Sequence, residues 1–244
     1  MVNTVESHYA EHLGPVYLWM VGDIDAASSR AEAELAGLEP GKTGGTAVDL
    51  GAGFGLHTLP LARRGFSVLA IDGYGPLLEE LAARAGPLPV RAVKTDLASF
   101  RAHLDATADV IVCMGDTLTH LPSEAAVGSL FEDVAASLEA GGTFVATFRD
   151  YATAPLQGDA RFILVRSDPR QVLTCFLEYA DTTVTVHDLL HRYDGVSWQL
   201  RVSSYLKLRL APHWVVERLS ALGMSVRRDV VPGGMTRVIA RMPG

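Results

Sequence analysis

Residues 46–55, TAVDLGAGFG, form the stretch of this sequence that is best suited to bind a ligand. An apolar, β-prone run ends at Leu50, and glycines follow at the alternate positions Gly51, Gly53 and Gly55 before a helical pattern begins. Glycine has no Cβ and readily adopts positive φ, so backbone N–H groups in such a turn can approach a ligand closely, beside a helix N-terminus. The pattern predicts a strand, a tight turn and a helix that bind a nucleotide-like cofactor. A glycine-rich turn that serves only the fold is the alternative.

The spacing of the glycines distinguishes between cofactors. Dinucleotide sites have the pattern G-x-G-x-x-G, which would place the third glycine at Leu56, whereas this chain has Gly55. A nicotinamide-dependent oxidoreductase is therefore the least favoured enzyme class. The pattern G-x-G-x-G, two residues after Asp49, resembles the first motif of class I S-adenosylmethionine-dependent methyltransferases. In that family the acid and the loop backbone hold the methionine end of the cofactor, which implies this role for Asp49, Gly51, Ala52 and Gly53.

The elements around this turn alternate between strand and helix patterns. Strands are predicted at 67–72, 90–96, 109–115 and 142–148, and helices at 76–85, 97–104 and 123–138. This alternation implies right-handed crossovers and a parallel sheet. We expect an α/β fold with a Rossmann-like, doubly wound, seven-stranded sheet that is parallel except for one antiparallel edge strand. Ligands bind such sheets at the carboxyl ends of the strands.

The remaining chain predicts three further parts. Residues 1–40 are predicted to form a helical lid, interrupted by an aromatic-rich break at 14–20, before a cofactor-binding core at 41–160. Residues 161–211 contain three β-rich segments separated by turns, at 172–180, 182–191 and 198–210, which predict a small antiparallel insertion near the active face. Residues 212–244 are predicted to add a helix and a β-hairpin to the core. Pro60 predicts a kink or a late start in the helix after the glycine turn.

Two acids at predicted strand ends are candidates for holding a nucleoside. Asp72, followed by Gly73, lies about 20 residues beyond the glycine turn, where an acid accepts both ribose hydroxyls. The alternative for Asp72 is an acid at a helix N-terminus. In class I methyltransferases the position of Asp96 and Leu97 commonly binds adenine, although Asp96 could equally be a helix cap.

Four segments extend the resemblance to small-molecule N-methyltransferases typified by glycine N-methyltransferase: 21–23, 113–122, 147–151 and 212–213. The resemblance implies that Met114, Gly115 and His120 lie at the methionine end of the cofactor. It also implies that Arg149 receives a substrate carboxylate, and it makes Tyr17 a candidate lid residue over the cofactor. The alternatives are a surface ion pair between Arg149 and Asp150, and packing under the helices for Tyr17.

Two departures from this family concern the substrate side. Asp116 stands where the family has a neutral amide, and Ala27 stands where a cofactor-contacting arginine is expected. These differences leave the identity of the substrate more open than that of the cofactor.

Methyl transfer from a sulfonium requires little acid–base catalysis by the protein. The methyl group is already activated, so a lone pair held close to it can supply much of the rate. The predicted catalytic residues are Arg149, Tyr151 and His120. A phenol or carboxylic acid substrate would be helped by deprotonation, for which Tyr151, His187 or His213 could serve, each with a structural role as the alternative.

The composition limits the kinds of substrate and partner that the protein can bind. The 244 residues are 48% hydrophobic and 20% charged, with a formal net charge of −7, which suits one globular unit and argues against a nucleic-acid substrate. Cys113 and Cys175 follow no metal-ligand spacing, so no metal is expected and the thiols are predicted to be reduced. No apolar run approaches the roughly 18 residues of a membrane span, and the first 20 residues lack the features of a signal peptide. A cytoplasmic protein without a membrane partner is expected; the sequence leaves open a monomer or a homo-oligomer.

The sequence therefore predicts an S-adenosylmethionine-dependent methyltransferase that acts on a small amine or amino-acid-like molecule. An O-methyltransferase of a natural-product scaffold is one alternative. A protein that binds the cofactor for regulation, without turnover, is another.

Overall fold

The computed structural model describes residues 2–41 and 44–244. Eleven strands form two sheets. The strands are β1 (Gly45–Leu50), β2 (Phe66–Asp72), β3 (Val90–Lys94), β4 (Ala108–Cys113), β5 (Leu138–Phe148), β6 (Phe162–Ser167), β7 (Gln171–Tyr179), β8 (Thr183–Tyr193), β9 (Trp198–Leu208), β10 (Ser225–Val230) and β11 (Thr236–Arg241). The helices are α1 (Val5–His8), α2 (Tyr17–Val21), α3 (Ile24–Glu34), α4 (Thr58–Arg63), α5 (Gly75–Ala85), α6 (Glu124–Ser137) and α7 (Pro212–Ala221).

The main sheet has seven strands in the order β10-β11-β5-β4-β1-β2-β3. Strands β3, β2, β1, β4 and β5 pair in parallel, and β11 runs antiparallel to both β5 and β10. The predicted α/β class with one antiparallel strand is confirmed. The antiparallel strand lies next to the edge, because β10 continues the sheet beyond it. The strand order reverses between β1 and β4, which is where such sheets bind ligands.

The central strands are apolar on both faces because helices cover both faces. On one face, Phe131 of α6 and Val215 of α7 belong to a buried cluster with Val48 and Leu50 of β1. On the other face, Ala47 of β1 is buried with side chains from α4 and from the turn after α3. Burial on both sides explains the near-continuous apolar runs of these strands.

Helix α4 begins late, at Thr58, after a series of turns that starts at Gly51. Pro60 therefore lies in the first turn of the helix, where its missing N–H removes no hydrogen bond. Of the two effects expected of Pro60, a kink or a late start of the helix, the structure shows the late start.

The second sheet has four antiparallel strands in the order β6-β7-β8-β9, which confirms the predicted β insertion. Strands β7, β8 and β9 correspond to the three predicted segments, whereas β6 was not predicted. β6 is an edge strand in which Phe162, Ile163, Leu164 and Val165 are all exposed. It therefore lacks the alternation of buried and exposed residues that reveals a half-buried strand.

The N-terminal segment connects the two sheets. After α1 comes a π-helical turn, Tyr9–Leu13, and then a 3-10 turn, Gly14–Val16, that contains Pro15. His8 is fully buried, with Nδ1 2.8 Å from Ser203 Oγ and Nε2 3.0 Å from Asp188 Oδ2. The backbone N–H of Asn3 donates to the carbonyl of Ser204. These bonds fix the segment against the inner face of the four-stranded sheet.

No helix in the described part of the chain is long and apolar enough to span a membrane. Within the same residues, no group of histidine, cysteine, aspartate and glutamate side chains could hold a metal ion. Cys113 and Cys175 are buried free thiols.

Candidate active site

A cavity of about 500 Å³ opens at the carboxyl ends of β1, β2, β3 and β4. It lies between the glycine turn and the N-terminal segment. Eleven of the twelve residues predicted to bind the cofactor line it: Tyr17, Gly51, Ala52, Gly53, Asp72, Gly73, Asp96, Leu97, Met114, Gly115 and His120. The elements that the sequence predicted to meet at this edge therefore do meet there.

The glycine turn presents backbone to the cavity. Gly51 and Gly53 have φ of 80° and 52°, which a side chain would strain. A Cβ on Gly51 would also lie 2.5 Å from Thr117 Oγ1. At Gly73 and Gly115 a Cβ would meet nothing within 4 Å, because these residues face open space in the cavity. Such a cradle suits a ligand that lies directly against the main chain.

Asp72 both organises the turn and faces the cavity. Its Oδ2 accepts from Gly53 N at 2.8 Å and its Oδ1 accepts from Tyr74 N at 2.8 Å. Burial raises the pKa of Asp72, and the backbone N–H donors of Tyr74, Gly53 and Gly73 partly offset that rise. A carboxylate has about four acceptor positions, and the hydrogen bonds from Gly53 N and Tyr74 N occupy two of them, so Asp72 can still accept from a ligand in the cavity.

Asp96 and Leu97 lie further along the same edge. Oδ1 of Asp96 accepts from Ala98 N at 2.8 Å, so Asp96 caps the 3-10 helix Leu97–His103, as the structural alternative proposed. Asp96 also lines the cavity, so the same side chain can cap the helix and contact a ligand.

Asp49 is the predicted cofactor residue that does not line the cavity. Its carboxylate is buried beneath the glycine turn, where Oδ2 accepts from Thr58 Oγ1 at 2.6 Å. Burial raises the pKa of Asp49, and His57 and the Thr58 hydroxyl lower it in part. In this structure Asp49 links β1 to the start of α4 and supports the turn from below.

Aromatic side chains enclose the other end of the cavity, beyond Gly115. The ring of Tyr9 lies 5.9 Å from those of Tyr17 and His120, and Tyr17 lies edge-on to Phe54 at 6.1 Å. Burial raises the pKa of Tyr17 to about 12. The Tyr17 hydroxyl therefore stays protonated at neutral pH, so it can donate a hydrogen bond but does not act as a base.

His120 is half-buried in the cavity wall, stacked on Tyr205 at 5.6 Å. Its Nδ1 is buried and has no hydrogen-bond partner among the described residues. Burial, together with the nearby Lys207 ammonium, lowers the pKa of His120 to about 3. The imidazole is therefore uncharged at physiological pH.

The predicted catalytic residues Arg149 and Tyr151 lie behind the cavity wall instead of on it. Arg149 is exposed, and its backbone N–H donates to Asp116 Oδ1 at 2.9 Å. Tyr151 is buried, and its hydroxyl donates to Asp116 Oδ2 at 3.1 Å. β5 ends at Phe148, and the structure brings both residues to Asp116 but brings only His120, of the three, to the cavity.

Neither of the other candidate bases lines the cavity. His187 Nδ1 lies 2.7 Å from Ser204 Oγ on the four-stranded sheet, and His213 is exposed on α7.

The side chain of Arg149 lies outside the cavity. The variants Arg149→Lys and Arg149→Ala are therefore expected to transfer methyl groups at close to the wild-type rate. Both variants keep the backbone N–H that holds Asp116. Steady-state transfer of labelled methyl groups measures this. A clear loss of turnover in both variants, at unchanged cofactor affinity, would place the guanidinium on the substrate after all.

Sequence reasoning missed three important residues. Glu6 and Tyr9 line the cavity from the N-terminal segment, and Lys207 on β9 donates to Asp116. The two-residue period of a strand places Lys207 and Tyr205 on one face of β9, but nothing in the sequence shows that this face packs against the main sheet.

Comparison with known proteins agrees with this geometry. Residues 47–142 match the family described as Methyltransferase domain. A cypemycin N-terminal methyltransferase from Streptomyces sp is 26% identical over 183 residues, which cover 69% of this chain and 72% of that protein. A glycine/sarcosine N-methyltransferase from Aphanothece halophytica is 32% identical over 80 residues, which cover 32% of this chain and 30% of that protein.

The fold is also similar to a solved structure, that of CalS10 with S-adenosylmethionine bound, an amino pentose methyltransferase from Micromonospora echinaspora. That structure superposes with a TM-score of 0.74 at 17% identity, over 94% of this chain and 96% of the other. The chain thus contains a methyltransferase domain at residues 47–142 and has the fold of S-adenosylmethionine-dependent methyltransferases.

Proposed function

We propose that this methyltransferase transfers its methyl group to the amine nitrogen of a small molecule or a short peptide. The observation that carries the proposal is the distribution of charge in the cavity. The lining includes the acid Glu6 and the rings of Tyr9, Tyr17 and His120, and the single lysine or arginine among the described lining residues is Lys94. Lys94 lies opposite Asp72 in the register of β3 and β2, at the strand ends and away from these three rings. An acid and aromatic faces attract an ammonium group, whereas an anionic substrate would find no cation there.

The relatives support an amine substrate. The cypemycin enzyme is named for N-terminal methylation and the Aphanothece enzyme for glycine and sarcosine. CalS10 is named for an amino pentose. These substrates differ in size and share an amine or amino nitrogen.

The residues of the chain have distinct roles in this proposal. Asp72 accepts the ribose hydroxyls, Asp96 and Leu97 meet the adenine, and the backbone at Gly51, Gly53 and Gly115 follows the rest of the cofactor. When bound, the cofactor supplies a methyl group already activated on sulfonium. The amine loses its proton to water before it reacts, since the attack needs the nitrogen lone pair.

His120 and the tyrosines position that lone pair. An uncharged imidazole can accept a hydrogen bond from the amine without repelling it, and His120 is uncharged. Tyr9 and Tyr17 exclude water from the reacting groups and can stabilise the cationic product through their faces. As the N–C bond forms and the C–S bond breaks, the nitrogen becomes a methylated ammonium cation, which then releases one of its own protons to solvent.

A hydroxyl group on an apolar scaffold is the second candidate acceptor. Val5, Leu121 and Pro122 line the same end of the cavity, and these apolar side chains favour a largely apolar molecule. For a hydroxyl, no group in the described lining is an obvious strong base, because the pKa of His120 is lowered to about 3.

A transfer assay tests the proposal. Purified enzyme with methyl-labelled S-adenosylmethionine is presented with matched pairs of amines and alcohols on the same scaffolds, including free amino acids, amino sugars and peptides with free N-termini. We expect label in amines and little in the matched alcohols. Label only in the alcohols would overturn the proposal in favour of O-methylation.

Thermal stability tests the cofactor separately. S-adenosylhomocysteine is expected to raise the melting temperature, whereas neither nicotinamide dinucleotide should do so, because the glycine spacing and the cradle suit no pyrophosphate. The reverse pattern would contradict the cofactor assignment.

A further inference from the structure

Asp116 and Lys207 form a buried ion pair behind the cavity wall. The Nζ–Oδ2 distance is 2.5 Å, and the two residues are only 4% and 8% exposed. Withdrawing two charges from water offsets most of the attraction between them, so a buried pair is weak evidence of a role in stability alone.

The pair joins three parts of the structure. Asp116 follows β4, its carboxylate also accepts from Arg149 N and Tyr151 Oη beyond β5, and Lys207 belongs to β9 of the other sheet. Asp116 is the single non-glycine residue with positive φ, at 77°, within the described ranges. Such backbone geometry persists only where surrounding contacts hold it, and it clusters at functional sites.

The same turn delivers His120 to the cavity. The carbonyl of Asp116 accepts from the Thr119 hydroxyl at 2.7 Å and from Thr119 N at 3.2 Å. These bonds shape the short 3-10 helix Thr117–His120 that ends at His120. Lys207 lies two residues from Tyr205 on one face of β9, and Tyr205 stacks on His120.

We propose that Lys207 is a positioning residue for methyl transfer: through its ion pair with Asp116 it fixes the turn 116–120, and it holds a cation 5.8 Å from the Tyr205 ring that stacks on the cavity-facing imidazole of His120. The functional half of this inference rests on the proposed function of the cavity. Its electrostatic half stands on the contacts of Lys207 alone.

The charged and titratable groups around His120 support this role. They are Glu6, His8 and Tyr9 from the N-terminal segment, Tyr205 and Lys207 from β9, and Asp116 from its own turn. Burial contributes most to the lowered pKa of His120; Lys207 lowers it further, and Asp116 raises it. Without Lys207 one of the causes that lower this pKa is lost, whereas burial of the ring remains. The pKa of His120 is therefore expected to rise from its lowered value.

The decisive experiment is an NMR titration of the histidine rings in the full-length protein from pH 8 down to the lowest pH at which the protein stays folded. His120→Asn identifies the His120 signal by its absence. In the wild type and in Lys207→Arg, which keeps the cation, we expect no titration of His120 above pH 5, because the pKa of His120 is lowered to about 3. In Lys207→Met we expect the titration of His120 to move to higher pH, and Lys207→Gln serves the same purpose if the methionine variant does not fold.

Activity provides the second readout. Lys207→Met should lose kcat/KM relative to the wild type as the pH is lowered through the raised pKa of His120, and the loss should approach about tenfold one pH unit below that pKa. A His120 that titrates at the same pH in the folded variant as in the wild type would overturn the inference. So would an equal loss of activity at every pH accompanied only by a lower melting temperature, since that is the behaviour of a purely structural pair. If the amine proposal itself fails, the NMR result still decides the electrostatic role of Lys207.

Discussion

Asp72→Ala is expected to weaken S-adenosylmethionine binding by about 10- to 150-fold, which corresponds to the loss of about 1.5–3 kcal/mol from hydrogen bonds to a charged acceptor. Asp72 lines the cavity and holds the N–H groups of Gly53 and Tyr74. The substitution would therefore remove the acceptor for the ribose and also loosen the turn beside it. Isothermal calorimetry on the folded variant measures the effect, and unchanged affinity would refute the role of Asp72.

Two further variants separate these contributions. Asp72→Asn keeps one acceptor oxygen and should lose less affinity than Asp72→Ala. Asp159→Ala, at an exposed acid outside the cavity, is the matched control and should bind normally. Since burial raises the pKa of Asp72, wild-type affinity should fall as the pH is lowered through that raised value, where the carboxylate becomes protonated. Asp72→Asn should lose this pH dependence.

The cofactor half of the site was predictable because local sequence determines it. A strand, a turn and a helix in one short segment place Gly51 and Gly53 at a sheet edge, and the parallel topology then brings Asp72 and Asp96 to the same edge. These inferences need only the period of the apolar residues and the direction of the strands. They do not need the contacts between distant parts of the chain.

The substrate half depends on such contacts. Tyr9 reaches the cavity through a π-helical turn, and Lys207 reaches Asp116 from a strand 91 positions further along the chain. Neither the packing of the two sheets nor the path of the N-terminal segment follows from local periodicity. For the same reason Arg149 was placed at the strand end by topology, whereas its side chain points away from the cavity lining and into solvent.

His120→Ala is expected to lower the rate of methyl transfer by about 100-fold, the cost of misplacing reacting groups by roughly an ångström, with little change in cofactor affinity. The imidazole separates Tyr9 from Tyr205 and forms the cavity wall beyond Gly115. Its removal would leave the amine free to turn away from the methyl group. Rapid-quench measurement of a single turnover isolates this step from product release.

The controls distinguish positioning from proton transfer. His213→Ala, at an exposed histidine on α7, should have the wild-type rate. His120→Asn, which keeps an uncharged hydrogen-bonding group, should recover part of the loss. Because the pKa of His120 is about 3, His120 should not change its charge between pH 5 and 8. Replacing it should therefore leave the pH dependence of the rate in this range unchanged, with no acid limb lost. If such a limb does disappear, His120 accepts the proton; if His120→Ala turns over at the wild-type rate, the ring is only part of the wall.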